Sequence, residues 1–373
     1  MLPSRPLVAI DAHTLGRRAT GNETYVRGLV GALSARSEID AVVLVDPGAP
    51  IDPALAPHVA GLRRRHPIAR LLGELATPGR TWGAELLHVQ YVRPPRCDVP
   101  CVTTIHDLSY EHDPSLFTRR SVLRMRATIP WSARHSAAVL TGSRFSRADL
   151  IERYRLAPDR VFVTPYAVDS RFRPQDVAVV EATRQRLGLP SDYLLYVGNL
   201  QPRKNLPRLL EAFVELESSG TSIPLVIVGQ RAWLYDAIFE TIRSHALEDR
   251  VHLTGYVSDD DLPAVYSGAY AFAYPSLFEG FGLPVLEALA CGVPTMTSNV
   301  TSLPEVADDA AVLVDPTDIA AMVDALARLL NDDVLRARLK AAGPKHAARF
   351  SWDRCAAATT DVYRSVIRES ASS

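Results

Sequence analysis

The chain has 373 residues, of which 47% are hydrophobic and 22% charged, and its formal net charge is −1. This length exceeds what one hydrophobic core usually supports, so we expect two domains in a soluble globular protein. The sequence shows no apolar run of about 18 residues and no signal-peptide pattern at its start, so we predict a cytoplasmic protein without a membrane span.

Short β-branched segments alternate with helical segments along the first half of the chain. The first predicted strand, LVAIDA, is followed by a helix from about Asn22 to Ala35. The next predicted strands are AVVLVD, LLHVQ, CVTTIHD, AVLTGS and VFVTPYAV. Strands that are apolar on both faces and separated by helices predict a parallel sheet covered on each side.

A second series of the same kind follows the polar, proline-containing stretch at residues 169–190, which we interpret as a linker. Its predicted strands are YLLYVGN, PLVIVGQ, VHLTGY, YAFAYPS and TMTSN, and a final helix follows FSW. This pattern predicts two doubly wound α/β domains in tandem, at residues 1–174 and 175–350. In such domains ligands bind at the carboxyl ends of the strands, so motifs at strand ends are the candidate sites.

The small net charge conceals an uneven distribution between these halves. Residues 1–174 contain 24 arginines and 16 acidic residues, a balance of +8, whereas residues 175–373 have a balance of −9. A basic half suggests an anionic partner, such as phosphate, nucleic acid or an acidic membrane surface. An arginine-rich genome is the alternative, since only three lysines occur, and the sequence leaves both open.

The four cysteines are too few and too scattered for a disulfide framework. Cys97 and Cys101 have three residues between them, which is the wrong spacing for a CxxC metal knuckle. We therefore expect buried thiols.

The first candidate site follows the predicted strand YLLYVGN. Arg203 and Lys204 stand just before a helix for which Asn205 is the predicted N-cap. Backbone N–H groups, a positive helix end and two cationic side chains together suit a diphosphate, the alternative being a solvated basic turn. Neither GxxxxGK[ST] nor GxGxxG occurs, which argues against a P-loop and a dinucleotide fingerprint.

The second candidate site is the segment PSLFEGFGLPVLEALACG. We expect Glu279 in the loop before a helix and Glu287 in the first turn of that helix. A carboxylate accepts hydrogen bonds from two vicinal hydroxyls, each contributing roughly 1.5 to 3 kcal/mol. The alternative is a pair of surface glutamates near a helix dipole. The flanking glycines count against it, because they let backbone N–H groups approach a ligand.

Two features of the first half also lie at strand ends. Gly21 stands at the entry of the first helix, where backbone N–H groups suit an anion. His106 and Asp107 end a strand. Together with His112 and Asp113 they are of the residue types that form a metal site. Third and fourth ligands at metal spacing are not evident, so we expect no metal site.

At these residues the sequence resembles family 4 of the retaining glycosyltransferases, which have the GT-B fold. The resemblance rests on a Glu-x(7)-Glu motif at 279–287, an Arg-Lys-Asn turn at 203–205 and a His-Asp-Leu strand end at 106–108. SNVTSLPEVADDAAVLVDPTD and FSWDRCAAATTDVYRSV also resemble the family, whereas TGNETYV is a looser match. The resemblance implies two Rossmann-like domains facing across a cleft, with a C-terminal helix at 351–373 returning to the first domain.

The resemblance also implies how a nucleotide sugar is held. Glu287 would accept the ribose hydroxyls of the nucleotide. Glu279 would hold hydroxyls of the donor sugar, together with the backbone N–H groups of Phe281, Gly282 and Leu283. Gly21 and Asn205 would be further contacts to the donor.

The implied catalytic residues are His106, Glu279, Arg203 and Lys204. The two cations would stabilise the leaving diphosphate as its negative charge grows, so that no metal or other cofactor is needed. His106 would lie beside the sugar. Retention would proceed by front-face attack, in which a diphosphate oxygen accepts the proton of the acceptor.

The sequence is most similar to members that transfer mannose from GDP-mannose in polysaccharide or glycolipid assembly. The first domain would bind a saccharide or lipid-linked acceptor, and the arginine-rich segment FTRRSVLRMRATIPWSARHS could contact a lipid diphosphate or the inner face of an anionic membrane. Its alternative is a solvated helix face. Three alternative functions stay open: a UDP-sugar-dependent transferase, a nucleotide-sugar epimerase, and a nucleic-acid-binding module. The last lacks interleaved aromatic residues and leaves the motifs of the acidic half unexplained, so we expect no nucleic-acid partner.

Overall fold

The computed structural model of the chain describes residues 5–17, 21–46, 48–49, 59–61, 67–218 and 223–372. These residues divide into two compact units. The first unit comprises residues up to 108, then 123–167 and 351–373. The second comprises residues 109–122 and 168–350. The C-terminal segment that was expected to return to the first domain therefore belongs to the first unit.

Thirteen strands are found in the described part of the chain. They are β1 Leu7–Asp11, β2 Asp40–Val45, β3 Val59–Gly61, β4 Leu86–Gln90, β5 Cys101–Thr104, β6 Ala138–Thr141, β7 Val161–Val163, β8 Leu194–Val197, β9 Leu225–Val228, β10 Val251–Gly255, β11 Ala271–Tyr274, β12 Thr295–Ser298 and β13 Val312–Val314. Every predicted strand is confirmed. Strands β3 and β13 were not predicted; each has three residues and lies at the edge of its sheet.

Fifteen helices accompany these strands in the described residues. They are α1 Gly21–Ser34, α2 Pro67–Leu72, α3 Pro78–Trp82, α4 Ser109–His112, α5 Arg119–His135, α6 Arg144–Tyr154, α7 Val177–Leu187, α8 Leu206–Ser218, α9 Asp236–Ser244, α10 Leu262–Ser267, α11 Leu283–Ala290, α12 Leu303–Ala307, α13 Ile319–Asn331, α14 Asp333–Ala347 and α15 Trp352–Ala371. Within the described ranges, no helix combines the length and the apolar character that a membrane span requires.

Each unit contains one fully parallel sheet. The strand orders are β3-β2-β1-β4-β5-β6-β7 in the first unit and β10-β9-β8-β11-β12-β13 in the second. Residues of β8, β9 and β11 are buried without alternation, because helices cover both faces of a parallel sheet. The predicted α/β class with two doubly wound domains is therefore confirmed.

The strand order reverses once in each sheet, between β1 and β4 in the first unit and between β8 and β11 in the second. Loops that leave neighbouring strands at such a point run to opposite faces of the sheet. They open a crevice at the carboxyl ends, where doubly wound sheets bind their ligands. The loops after β8 and β11 carry both candidate sites of the second unit.

The C-terminal helix α15 packs against α1 in the first unit. A Cβ atom at Gly28 of α1 would lie 2.1 Å from the ring of Trp352, the first residue of α15. Further along α15, the hydroxyl of Tyr363 bonds to Nδ1 of His88 in β4. A glycine at position 28 thus allows α15 to lie close enough for this buried contact.

The predicted linker at residues 169–190 lies within the second unit, which resumes at Val168, and it contains helix α7. The polar composition that suggested a linker belongs to the exposed face of this helix. There Arg184 pairs with Glu181 one turn away, at 2.7 Å.

Candidate functional site

The loop after β8 places two cationic side chains at the reversal point of the second sheet. Residues Pro202–Lys204 form a 3₁₀ turn, which Asn205 ends with a φ of 60°. Asparagine tolerates this left-handed backbone better than most residues. Its side-chain amide donates to the carbonyl oxygens of Pro275, at 3.0 Å, and Pro316, at 2.6 Å.

These contacts change the interpretation of Asn205. It directly precedes α8, as predicted, and its side-chain oxygen accepts from the guanidinium of Arg208 at 3.0 Å. The side chain is buried, and it ties the loop after β8 to the loop after β11. The structure therefore shows Asn205 holding the two candidate loops together.

Glu279 is the centre of this site. Its Oε2 accepts from Arg203 at 2.9 Å. Its Oε1 accepts from Lys204 at 2.6 Å, from the hydroxyl of Tyr274 at 3.0 Å and from Ser276 at 2.6 Å. The two motifs that the sequence predicted separately, 75 residues apart, thus meet in one buried ionic cluster.

The electrostatics of this cluster favour ionised Glu279. Burial alone would raise its pKa, because a charged carboxylate loses hydration when only 6% of the residue is exposed. The charges of Arg203 and Lys204 outweigh burial and lower the pKa from 4.5 to about 2. Two cations and one carboxylate leave a formal charge of +1 at the carboxyl end of the sheet.

The loop after Glu279 has a fixed shape. The hydroxyl of Ser302 donates to the carbonyl oxygens of Glu279 and Phe281, at 2.9 Å each. Gly282 has a φ of 112°, and a Cβ atom there would lie 2.6 Å from Leu303. A glycine is therefore required at the point where the loop turns into α11, whose first residue is Leu283.

Glu287 lies in the second turn of α11, and the prediction that placed it in the first turn was wrong. The helix begins only after the left-handed turn at Gly282, which makes Glu287 its fifth residue. Its Oε2 accepts a 2.8 Å hydrogen bond from the hydroxyl of Tyr266 in α10. The helix dipole therefore stabilises the charge of Glu287 little, because it acts within the first turn.

Glu287 differs from Glu279 in its ionisation. It is 9% exposed, and burial raises its pKa from 4.5 to about 7, although the hydrogen bond from Tyr266 acts in the opposite direction. No cation contributes as strongly here as Arg203 and Lys204 do at Glu279. The protein therefore stabilises the negative charge of ionised Glu287 only in part. This suits a carboxylate that also accepts hydrogen bonds from a ligand.

His106 is part of a buried polar network in the first unit. Its Nδ1 bonds to the hydroxyl of Tyr166 at 2.6 Å, and its Nε2 bonds to Oε1 of Gln90 at 2.8 Å. Burial lowers its pKa to about 4, so the ring is neutral near pH 7. An oxygen of Gln90 at Nε2 and a hydroxyl at Nδ1 would satisfy a neutral ring that carries its proton on Nε2.

Gly21 is the first residue of α1 and is exposed, as the sequence predicted. Residues 18–20 of the same motif lie outside the described residues. The carboxylate of Glu23, in the first turn of α1, accepts from the backbone N–H of Gly16 at 2.9 Å and from Arg27 at 2.8 Å. This helix start therefore already has an acidic side chain beside it.

The residues considered for a metal cluster are not brought together. Among the described residues, the group with ligand atoms close enough for a metal is Asp308, Asp309 and His346. The guanidinium of Arg349 contacts Asp308 and His346, at 3.5 Å each, and already supplies a positive charge there.

The four cysteines are free thiols, as expected. Cys101, Cys291 and Cys355 are buried, and burial raises the pKa of each to about 12, so they are unreactive near pH 7. Cys97 is half-buried.

Three residues of the site were missed by sequence reasoning. Tyr274 and Ser276 stand five and three residues before Glu279, at the end of β11 and just after it, and this position at a strand end was an available signal. Tyr266 reaches Glu287 from another helix, 21 residues upstream, and no pattern in the sequence connects the two.

The chain matches two family models. Residues 19–172 match the model described as Glycosyltransferase Family 4, and residues 179–346 match the model described as Glycosyl transferases group 1.

Several relatives and solved structures are similar to it. The O-antigen chain mannosyltransferase B of Escherichia coli is 37% identical over 265 residues, which are 70% of this chain and 70% of that protein. The serotype-specific mannosyltransferase WbdA of Escherichia coli is 32% identical over 58% of this chain, but the match spans only 27% of that protein. Among solved structures, sucrose-phosphate synthase from Thermosynechococcus elongatus superposes with a TM-score of 0.79 at 22% identity, over 98% of this chain and 100% of that one. This last likeness concerns the fold alone.

Proposed function

This chain belongs to family 4 of the glycosyltransferases, and from that premise we propose that it transfers mannose from GDP-mannose, with retention of configuration and without a metal, to a saccharide or lipid-linked acceptor. Its fold of two parallel-sheet units is that of the GT-B enzymes, and the chain is a hexosyltransferase. The observation that carries the proposal is the cluster of Glu279, Arg203 and Lys204 at the reversal point of the second sheet.

The excess positive charge of this cluster is the basis for binding the diphosphate. As the bond between the sugar C1 and the diphosphate breaks, negative charge accumulates on the departing oxygen. Arg203 and Lys204 would stabilise that charge more strongly in the transition state than in the bound donor, which lowers the barrier. We propose that these two fixed cations take the place of a divalent ion.

The new bond would form on the same face of C1 from which the diphosphate leaves. In this step the acceptor oxygen bonds to C1, and its proton passes to an oxygen of the departing diphosphate. No protein base is required. We assign no proton transfer to His106, because both of its ring nitrogens are bonded to protein groups and its pKa is about 4.

The two glutamates would hold different parts of the donor. Glu287, which receives one hydrogen bond from Tyr266, is proposed to accept the ribose hydroxyls. Glu279 is proposed to bind sugar hydroxyls together with the backbone N–H groups of Phe281, Gly282 and Leu283, at the positive end of α11. Asn205 would support this arrangement by joining the two loops, while the predicted contact of Gly21 with the donor remains a prediction.

The choice of mannose is supported by the names of the relatives. The two Escherichia coli proteins reported above are named as mannosyltransferases. A UDP-sugar is the alternative donor, because nothing in the contacts of Glu287 distinguishes a guanine from a uracil nucleotide. The proposal is tested by monitoring the turnover of GDP-mannose by proton NMR in the presence of EDTA. The turnover of UDP-glucose is measured under the same conditions for comparison.

We extend the proposal to a peripheral contact with anionic membranes through helix α5. Leu123 is 71% exposed on this helix, and arginines that are also exposed surround it: Arg119, Arg120, Arg124 and Arg126. An exposed apolar side chain among basic residues suits the surface of an anionic bilayer.

Flotation with vesicles checks this extension. We expect the protein to float with phosphatidylglycerol vesicles at low salt, and to float much less with phosphatidylcholine vesicles or after R120E and R124E substitutions. Absence of flotation with phosphatidylglycerol vesicles at low salt would contradict the proposed membrane contact.

A further inference from the structure

The hydroxyl of Tyr274 connects the two charged groups of the donor site. It accepts a hydrogen bond from the ammonium of Lys204 and donates one to Oε1 of Glu279 at 3.0 Å. Lys204 also donates directly to the same oxygen at 2.6 Å. The three side chains therefore form a closed ring of hydrogen bonds, in which Tyr274 is the neutral member.

Tyr274 is the most rigidly held member of this ring. It is the last residue of β11, which pairs with β8 on one side and β12 on the other. Its aromatic ring stacks on Tyr196 and on Phe272, with centroids 5.9 Å apart in each case. The backbone carbonyl of Tyr274 accepts from the hydroxyl of Thr297 at 2.9 Å.

Lys204, in contrast, carries its charge at the end of a flexible chain of four carbons. Its ammonium lies 4.9 Å from the centre of the Tyr274 ring, so that ring and hydroxyl both contact the lysine. Because strand pairing holds the backbone of Tyr274 and two aromatic rings pack against its side chain, its hydroxyl gives the ammonium a defined contact point. The hydroxyl also keeps its proton, since burial raises the pKa of Tyr274 well above 10.

We propose that Tyr274 is a positioning residue for Lys204: its hydroxyl gives the ammonium, which already contacts Oε1 of Glu279 at 2.6 Å, a second contact that sets where the charge lies relative to the carboxylate. This inference rests on the proposed function, in which Lys204 stabilises the leaving diphosphate. Without the hydroxyl, the ammonium would keep its contact with Glu279 but could turn about that oxygen, and its charge would be less well placed for the diphosphate. Donor binding would change little, because Arg203 and Glu287 remain in place.

The test compares Y274F with Y196F in the full chain. Tyr196 is an equally buried tyrosine on the neighbouring strand, and its hydroxyl has no hydrogen-bond partner among the described residues. We expect Y274F to lower kcat for GDP-mannose turnover by about tenfold to a hundredfold while KM changes less than about threefold. We expect Y196F to stay within about twofold of the wild type.

A double-mutant cycle with K204M separates positioning from a merely structural role. With the ammonium removed, the hydroxyl has no charge to hold, so K204M and the K204M/Y274F double variant should have the same kcat within about twofold. The positioning role alone would be overturned if Y274F had the kcat of the wild type, or if Y274F lowered kcat as much in the K204M background as in the wild type. Wild-type kcat in K204M would overturn the proposed role of the lysine itself, and the positioning role with it.

Discussion

Replacement of Glu279 by glutamine is expected to lower kcat by about a hundredfold to a thousandfold and the free energy of unfolding by about 3 to 5 kcal/mol. The substitution preserves the size of the side chain but removes the charge that compensates Arg203 and Lys204, which are 2.9 and 2.6 Å away. The buried Lys204 and the partly buried Arg203 would then lack this counter-ion. Steady-state turnover and urea denaturation measure the two effects.

Glutamine at Glu181 provides the matched control. That carboxylate pairs with Arg184 in the same unit, but at an exposed position, where ion pairs contribute little. GDP should restore part of the stability lost by E279Q, because its diphosphate supplies the missing negative charge. Wild-type stability and turnover in E279Q would show that the cluster does not organise the site.

Replacement of Glu287 by glutamine is expected to weaken the binding of GDP-mannose about tenfold to a hundredfold at pH 8. The reason is that two charge-assisted hydrogen bonds to the ribose become neutral ones. Calorimetric titration measures the affinity. GDP-mannose is the suitable ligand because its diphosphate has no group that titrates near pH 7.

The pH dependence of the same titration identifies the residue. Because burial holds the pKa of Glu287 at about 7 and the ionised form binds the ribose, the wild type should bind about tenfold more weakly at pH 6 than at pH 8. In E287Q the two affinities should be equal. A pH dependence that persists in E287Q would assign the titration to another group.

The ionisation of Glu287 also predicts a cost in stability. Its folded-state pKa lies above the unfolded value of 4.5, so its contribution to stability is fully present below pH 4.5 and is lost as pH rises through 7. E287Q should therefore be more stable than the wild type at pH 8, by up to about 3 kcal/mol. Such a gain would mark Glu287 as a group kept for binding at the expense of stability.

The sequence predicted eleven of the thirteen described strands, the class of fold and both halves of the ionic cluster. The reason is local: strand ends, glycines and charged side chains stand together in YVGNLQPRKN and in PSLFEGFG. The residues by themselves did not predict that these segments meet, because strand order is a property of the folded sheet, and it was the family resemblance that placed both at one donor. Only the adjacency of β8 and β11 brings Lys204 and Glu279 within 2.6 Å.

The misplaced details have similar causes. The turn of α11 that carries Glu287 depends on the backbone of Gly282, whose left-handed φ delays the start of the helix. The hydrogen bonds of His106 come from Gln90 and Tyr166, which are 16 and 60 residues away. A sequence pattern marks a polar residue as a candidate. It does not show whether its polar atoms already form hydrogen bonds within the folded protein.

The turnover of GDP-mannose in EDTA tests the central claim most directly. Water can serve as the acceptor, so no knowledge of the natural acceptor is required, and proton NMR distinguishes the two anomers of released mannose before they equilibrate. Retention from the α-linked donor predicts GDP and α-mannose as the first products, and no comparable turnover of UDP-glucose. Initial β-mannose would contradict retention, an epimerised nucleotide sugar would indicate an epimerase, and turnover of UDP-glucose alone would overturn the assignment of the donor.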